Sequence, residues 1–419
     1  MARKARDAAT LRAKVGSVPP DMFEDAPEPV DSVKTEQQAR LKEMQAVAAT
    51  FKNYRPAREV LTRVKAIPTP FVQFDHATRV GGFPIERITT VIGPSNHGKT
   101  QFVLGLLYGA LQQNHFARLD DLERTTPITW LEKMMGAMAD HPYFSAGRNN
   151  VYEEYVDNLK AWAEHIGELR TKERIPPGTT GIAALDSLSK LTPRKFFEKA
   201  AKAGDAASEK TGVDRMGGMG GMIKAGLNSA WFDDLIVTLE QTMCAAVIIT
   251  RESIKEADNM FAAPEIIPKG GSSVVYESSL LLRIERQSWI TQGADKEKET
   301  LGERHRITIR KTKVAGKQEK MPVAFFHTSN GRITPEGFDR ARDVLELAEK
   351  FEVVKPMKNP DTGKVGNWLG WGRQRWNGRN AAAAKLNESP KLLADLEEVV
   401  RAHFASVNPE TVDEDGVVT

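Results

Sequence analysis

Across 419 residues there is one cysteine, Cys244, which excludes an internal disulfide framework and a cysteine-built metal site. It lies in the apolar run Met243 to Ile249, which predicts a buried structural thiol in a reducing, cytoplasmic setting. No apolar run approaches the roughly 18 residues of a membrane span, so a membrane is not an expected partner. An excess of charge is also lacking: 59 Lys and Arg against 56 Asp and Glu leave +3. Bulk charge therefore neither requires nor excludes a polyanionic partner. Internal repeats are absent too. The N-terminal Arg3, Lys4, Arg6, Arg12 and Lys14 come with Asp7 and no cleavable apolar segment, and so predict a solvated arm rather than a targeting peptide.

What is present is uneven patterning. Residues 1 to 35, rich in Pro, Asp and Glu, predict a poorly ordered arm. Glu36 to Lys52 predicts a helix, with Leu41, Met44, Val47, Ala48 and Phe51 at three- and four-residue steps. Between residues 66 and 335 short apolar runs alternate with amphipathic stretches. Ile88 to Ile92, Ile182 to Leu185, Ala245 to Thr250, Leu280 to Ile284, Ile307 to Ile309 and Val323 to Phe326 predict strands. Gln101 to Gln112, Tyr152 to Arg170 and Leu227 to Met243 predict helices. This is the pattern of an α/β domain on a mainly parallel central sheet, with an antiparallel or mixed extension and a turn at Asn330-Gly331. Residues 336–419 predict a small C-terminal α/β domain, with helices over Phe338 to Phe351 and Pro390 to Phe404 around a Gly/Trp-rich stretch. An acidic tail follows Pro409. The expected domains are 1–65, a helical arm; 66–335, the core; and 336–419.

The most specific signal is Gly93-Pro94-Ser95-Asn96-His97-Gly98-Lys99-Thr100, which fits G-x-x-x-x-G-K-[ST] with a strand before it and a helix, opening with Gln101, after it. Glycines let backbone N–H groups turn inward around a β-phosphate. Lys99 neutralises the β/γ oxygens, and the Thr100 hydroxyl can ligate Mg²⁺. Such a loop needs a second metal anchor, and Gly181 to Asp186 is an apolar run ending in a carboxylate. Hydrolysis needs a group to orient water. After the short run Phe116 to Leu119, Asp120-Asp121-Leu122-Glu123 offers Glu123 first, with Asp121 the alternative.

With these residues on view, the chain resembles the RecA family of recombinases over most of its length. The resemblance is carried by Ile67 to Asp75, Gly81 to Ile88, Leu185-Asp186-Ser187-Leu188, Leu191-Thr192-Pro193 and Asp121-Leu122-Glu123. It implies a RecA-type P-loop core in which Glu123 activates water. Phe261 to Gly271 is similar to the family's second DNA-binding loop, which implies DNA contacts from Pro264, Glu265, Ile266, Ile267, Lys269, Gly270 and Gly271. Paired glycines can thread close to a phosphate backbone. Arg215 to Met222 stands where the first loop would be, implying Arg215, Met216, Met219 and Lys224; Lys195 to Lys210 reads as an insertion before it. Arg310-Lys311-Thr312-Lys313 resembles the family's K-x-K segment, whose two lysines, here Lys311 and Lys313, reach a neighbouring subunit's γ-phosphate. Two positions depart from the family. Arg251 replaces a phosphate-sensing glutamine, and Trp130 stands near the place of an adenine-stacking tyrosine. Asn367 to Arg379, with Arg373 and Arg375 among tryptophans, loosely resembles the C-terminal domain that gathers duplex DNA.

The resemblance implies an ATP- and Mg²⁺-dependent recombinase, filamentous on single-stranded DNA, pairing it with homologous duplex in the cytoplasm (a host's, if virus-encoded). A RecA-type hexameric helicase and a nucleotide-binding DNA-binding regulator with weak ATPase are the alternatives.

Overall fold

The computed structural model describes residues 40, 42, 43 and 46, then 63–202, 220–255, 265–292, 299–314, 320–326, 337–359, 363 and 365–407. The N-terminal arm, the acidic tail and the Asn330-Gly331 turn lie outside the described residues. The chain divides into two units, Met1–Arg63 and Val64–Thr419. In the first, Arg40, Lys42, Glu43 and Ala46 are helical, within the helix expected over Glu36 to Lys52.

The second unit is organised by a nine-stranded sheet. Its strands are β3 (Ile88–Ile92), β4 (Phe116–Asp121), β5 (Phe144–Gly147), β6 (Gly181–Asp186), β7 (Ala245–Ile249), β10 (Leu280–Gln292), β11 (Glu299–Thr312), β12 (Lys320–Phe326) and β13 (Gly337–Phe338). A small pair, β1 (Ala66–Ile67) and β2 (Phe83–Pro84), precedes it. The sheet order is β13-β12-β11-β10-β3-β7-β6-β4-β5. Every pairing from β10 through β3, β7, β6 and β4 to β5 is parallel, and β11, β12 and β13 add antiparallel strands. The chain thus has the α/β fold with a mainly parallel central sheet, and the antiparallel extension lies at one edge.

Helices cover both faces, so the central strands read as unbroken apolar runs. Ala245, Val247 and Ile249 join one cluster with α2 (Lys99–Gln112) and α3 (Ile128–Met135). Ala246 and Ile248 join the other with α4 (Tyr152–Thr171) and α6 (Gly220–Thr242). This two-residue alternation is the pleat of β7. Cys244, fully buried, packs in the second cluster.

Three sequence expectations change. The short runs Leu280 to Ile284 and Ile307 to Ile309 are the inner ends of one long hairpin, whose outer half is mostly polar and buries Leu301 against Ile290 in a small cluster of its own. Gly220 to Met222, expected in a loop, form the first turn of α6. Glu265, Ile266 and Ile267, expected in an open loop, lie in β9 (Glu265–Pro268), paired with β8 (Glu252–Lys255). The β-branched isoleucines suit a pleated strand.

The C-terminal segment consists of α8 (Arg340–Lys350), β14 (Lys355–Lys358), β15 (Val365–Trp371), β16 (Gln374–Asn377), α9 (Arg379–Glu388) and α10 (Pro390–Val407). Its own apolar cluster takes in Val72 of α1 (Val72–Thr78). Polar contacts reinforce that seat. Arg401 donates to buried Asp75 at 2.8 Å and to the Thr69 carbonyl at 2.8 Å. Gln73 Nε2 donates to buried Asp343 at 2.9 Å. Burial pushes the Asp343 carboxyl up to about 8, against the opposing pull of the Gln73 donors.

Candidate functional site

The phosphate loop leaves the carboxyl end of buried β3 and runs into α2 at Lys99. Two glycines are required by close approach. A Cβ at Gly93 (φ +151°) would lie 2.1 Å from the Ile284 carbonyl oxygen, and one at Gly98 (φ +78°) would strike the His305 ring at 2.8 Å. His305 is held beneath the loop 3.0 Å from Glu303, which also meets Arg286 at 3.3 Å. Burial pushes the His305 imidazole down to about 4, so it is neutral at pH 7. His97 accepts the Arg286 backbone N–H at Nδ1, 2.9 Å, which sets a neutral ring as its Nε2–H tautomer. Hairpin β10–β11 thus braces the loop from outside.

A cleft of about 420 Å³ opens on the loop and is lined by Ser95 to Gln101, Glu123, Thr125, Trp130, Asp186, Arg251 and Glu303, among others. Glu123, Asp186 and Arg251 come from the carboxyl ends of parallel strands, the usual ligand crevice of an open α/β sheet, while Trp130 comes from α3 and Glu303 from the antiparallel β11. Lys99 donates to the Pro94 carbonyl at 2.6 Å, and burial lowers its pKa. Thr100 Oγ1 donates to Asp186 Oδ2 at 2.6 Å across the gap between α2 and β6. Burial raises the Asp186 carboxyl to about 6, with the Thr100 hydrogen bond opposing it. A hydroxyl and a carboxylate meeting beside a phosphate loop form the oxygen donor pair that suits Mg²⁺.

The two candidate water-orienting carboxylates differ in surroundings. Asp121, 3% exposed, accepts the backbone N–H groups of Thr125 and Thr126 at 3.1 and 3.2 Å and meets Arg148 at 3.4 Å. It ties down the turn after β4. Glu123 faces the cleft instead. Its Oε1 accepts from Ser187 Oγ at 2.9 Å and from Arg251 Nη2 at 3.3 Å.

From Arg251 the chain enters β8, and β9 leads out to the glycine pair. The Lys269 N–H donates to the Arg251 carbonyl at 2.7 Å, and Thr250 Oγ1 donates to the Lys269 carbonyl at 2.8 Å. Gly270 and Gly271 both have positive φ, and buried Asn228 of α6 donates to the Gly270 carbonyl at 2.7 Å. Lys224, at the start of α6, donates to the Ser189 carbonyl at 3.1 Å, and burial lowers its pKa.

Of the other expected site residues, Trp130 is half-buried on the cleft wall and also packs against the first cluster. Lys311 and Lys313 do not line this cleft. Lys311 donates to the Val275 and Tyr276 carbonyls in α7 (Ser272–Glu277). Arg373 and Arg375 are exposed on the β15–β16 hairpin, whereas Trp376 is core. Arg215, Met216, Met219 and Pro264 lie outside the described residues. Sequence reading missed Ser187, Glu303 and His305. A serine after a strand-ending aspartate is no signal, and the other two belong to a hairpin some 200 residues downstream of the loop they brace.

A phosphate loop at the edge of a parallel α/β sheet, facing a strand-end carboxylate, defines the class of P-loop nucleotide-binding domains. No protein-family model matches the chain. Among curated proteins it is similar to Protein RecA of Acholeplasma laidlawii, 26% identical over 343 residues, 81% of this chain and 88% of that protein. Protein RecA of Aquifex pyrophilus is 27% identical over 360 residues, 85% and 88%. Protein RecA of Bacillus subtilis is 25% identical over 359 residues, 85% and 86%. Across most of both chains, then, this chain is similar to the RecA family, as a divergent relative.

Proposed function

We propose that this chain is an ATP-dependent DNA recombinase that assembles on single-stranded DNA and pairs it with homologous duplex. The observation that carries the reading is the covalent and hydrogen-bonded path from the cleft to the glycine pair: Glu123 to Arg251, then β8 and β9 to Gly270 and Gly271. A γ-phosphate arriving in the cleft draws on Arg251, and Arg251 begins the hairpin that ends at a segment fit to approach a phosphate backbone.

Residue roles follow from chemistry. Lys99 and the N-terminus of α2 bind the β- and γ-phosphates. Thr100 and Asp186 hold Mg²⁺, which when bound neutralises phosphate charge. Glu123 orients water and accepts its proton. Trp130 offers a ring face to the base, and Arg251 a guanidinium to the γ-phosphate. Lys311 and Lys313, which lie away from their own cleft, serve the cleft of a neighbouring subunit, so nucleotide binding and polymerisation are coupled in a filament. Lys269 with the glycine pair, and Arg373 with Arg375 on the C-terminal hairpin, are the DNA contacts. Binding directed at backbone phosphates is largely independent of sequence and falls steeply with salt.

A strand-invasion assay tests the reading, with homologous and heterologous duplex, with and without ATP. Joint molecules that need both homology and ATP are expected. Unwinding without joint molecules identifies a helicase, and filaments without hydrolysis identify a regulator.

A further inference from the structure

The turn after β6 carries two serines, and Ser187, 1% exposed, donates its hydroxyl to Glu123 Oε1 at 2.9 Å. A hydroxyl has one proton, so the 2.8 Å contact between the Ser187 and Ser189 side-chain oxygens runs from Ser189 to Ser187. The donor chain is therefore one-directional, Ser189 to Ser187 to Glu123. Arg251 reaches the same Oε1 at 3.3 Å. Among the described residues, both side-chain anchors of Glu123 thus grip one oxygen, which leaves Oε2 for water. The main chain of Glu123 is tied to the same place, because the N–H groups of Leu122 and Glu123 both donate to the Asp186 carbonyl, at 2.6 and 3.1 Å.

That turn also meets the elements around the glycine pair. Lys224, near the start of α6, donates to the Ser189 carbonyl at 3.1 Å. One helical turn on, Asn228 donates to the Gly270 carbonyl at 2.7 Å, and its own amide oxygen accepts the Tyr152 hydroxyl at 2.9 Å. Residues four apart share a helix face, so one face of α6 holds the serine turn and the glycine pair together. The two also touch directly. A Cβ at Gly270 would lie 3.0 Å from a methyl of Leu188, the buried residue between the serines, and a Cβ at Gly271 would lie 3.0 Å from Ala225 Cβ. With so little clearance, α6 and the glycine pair cannot move while the serine turn stays still.

We infer that Ser187, backed by Ser189, is the positioning residue of the water-orienting carboxylate, and that Lys224 couples the aim of that carboxylate to α6 and the glycine pair. The terminal torsion of a glutamate is soft. A general base must present its free oxygen along the line of the water proton, and a misplacement of about 1 Å can cost about 10²-fold. Ser187 removes that freedom by holding Oε1. Arg251, 53% exposed, is the looser anchor and the one that a γ-phosphate draws away, whereas the buried serine stays. A strand seated on the glycine pair acts on α6 through Asn228, and α6 acts on Ser189 through Lys224. That is a route to Glu123 independent of Arg251. It rests on the reading of Glu123 as the group that orients water.

The full chain is assayed for steady-state hydrolysis across ATP concentrations, with and without saturating poly(dT). Ser187→Ala should lower kcat by about 10- to 100-fold with KM for ATP within about twofold, the split expected when orientation alone is lost. Ser189→Ala should lower kcat about 3- to 10-fold, the rate equivalent of one neutral hydrogen bond, and Ser189→Thr should restore it. Added to Ser187→Ala, Ser189→Ala should cost less than about twofold more, because it acts through Ser187. Lys224→Met keeps the apolar stem, removes the donor, and should cut the stimulation by poly(dT) by at least about threefold. A smaller fall for Ser187→Ala, a loss carried by KM, additive serine losses, or unchanged stimulation in Lys224→Met overturns the inference. Should Ser187→Ala fail to fold, Ser189→Ala and its threonine rescue decide. Glu123→Gln separates the two readings. If it leaves hydrolysis intact, the assignment of the carboxylate fails; if it slows hydrolysis while Ser187→Ala does not, the positioning role alone fails.

Discussion

Glu123→Gln and Asp121→Asn should dissociate hydrolysis from stability, in opposite directions. Glu123 makes two side-chain contacts, with Ser187 and with an Arg251 that is 53% exposed. A glutamine keeps an oxygen for Ser187 and gives up only a solvated ion pair, worth about 0.2–1 kcal/mol. Its unfolding free energy should therefore move by less than about 1 kcal/mol, while ATP hydrolysis falls about 10²- to 10⁴-fold with the loss of a general base. Asp121, with its side chain 4% exposed, is acceptor to two backbone N–H groups and to Arg148. Asparagine offers one acceptor oxygen and turns an NH₂ toward the second donor. Losing one hydrogen bond to a charged acceptor costs about 1.5–3 kcal/mol, and turnover per folded molecule should change by less than about tenfold. Urea denaturation gives the first quantity, and steady-state hydrolysis with saturating ATP and an oligonucleotide gives the second. If Asp121→Asn slows turnover as much as Glu123→Gln while its denaturation midpoint holds, the assignment of the two carboxylates is wrong.

Lys99→Ala should leave the fold intact and abolish nucleotide binding; retained affinity in a fluorescent-nucleotide titration would refute the phosphate-site reading. Arg401→Ala leaves Asp75 buried without its cation, and should cost about 3–5 kcal/mol in chemical denaturation; a loss under about 1 kcal/mol would show that Asp75 does not need this partner. Asp343, raised to about 8 by burial against the usual 3.8, favours folding in its protonated form. Its contribution is full below pH 4, erodes as pH rises and is gone above about pH 8, a change on the order of 2 kcal/mol between pH 6 and 8. Asp343→Asn should flatten that slope in melting temperature against pH; an unchanged slope excludes Asp343 as its source.

The parallel half of the sheet was legible because burial on both faces leaves unbroken apolar runs, and Ile88–Ile92 is observed with its expected bounds. Hairpin β10–β11 was legible only at its inner ends. Beyond Arg283, β10 no longer pairs with β3 and is held by β11, and its outer run Gln287 to Gln292 is polar except for Trp289 and Ile290, too little for an apolar period. Similarly, Glu265 to Pro268 looked like a loop because four residues with a proline carry too little pattern to announce a strand; its partner Glu252–Lys255 decides the matter.

In the site, the phosphate loop was legible because it is contiguous: backbone geometry demands glycines at fixed spacing, and the helix that follows demands its place. Glu123 was legible only as one of two neighbouring carboxylates. Its surroundings come from the ends of three strands, Ser187 after β6 and Arg251 after β7 meeting the turn after β4, with more than sixty residues between successive contributors. No local pattern encodes such a meeting, because each residue is chosen by what stands across the cleft rather than by its chain neighbours. The same holds for His305 under Gly98, where a glycine fixed by local geometry leaves just the space that a distant imidazole fills. Contiguous chemistry can therefore be read before folding, while the groups that orient it emerge only when parallel strands align their carboxyl ends. Asp121 and Glu123, two residues apart and alike in charge, acquire different tasks because the strand ends in the first and the cleft begins at the second.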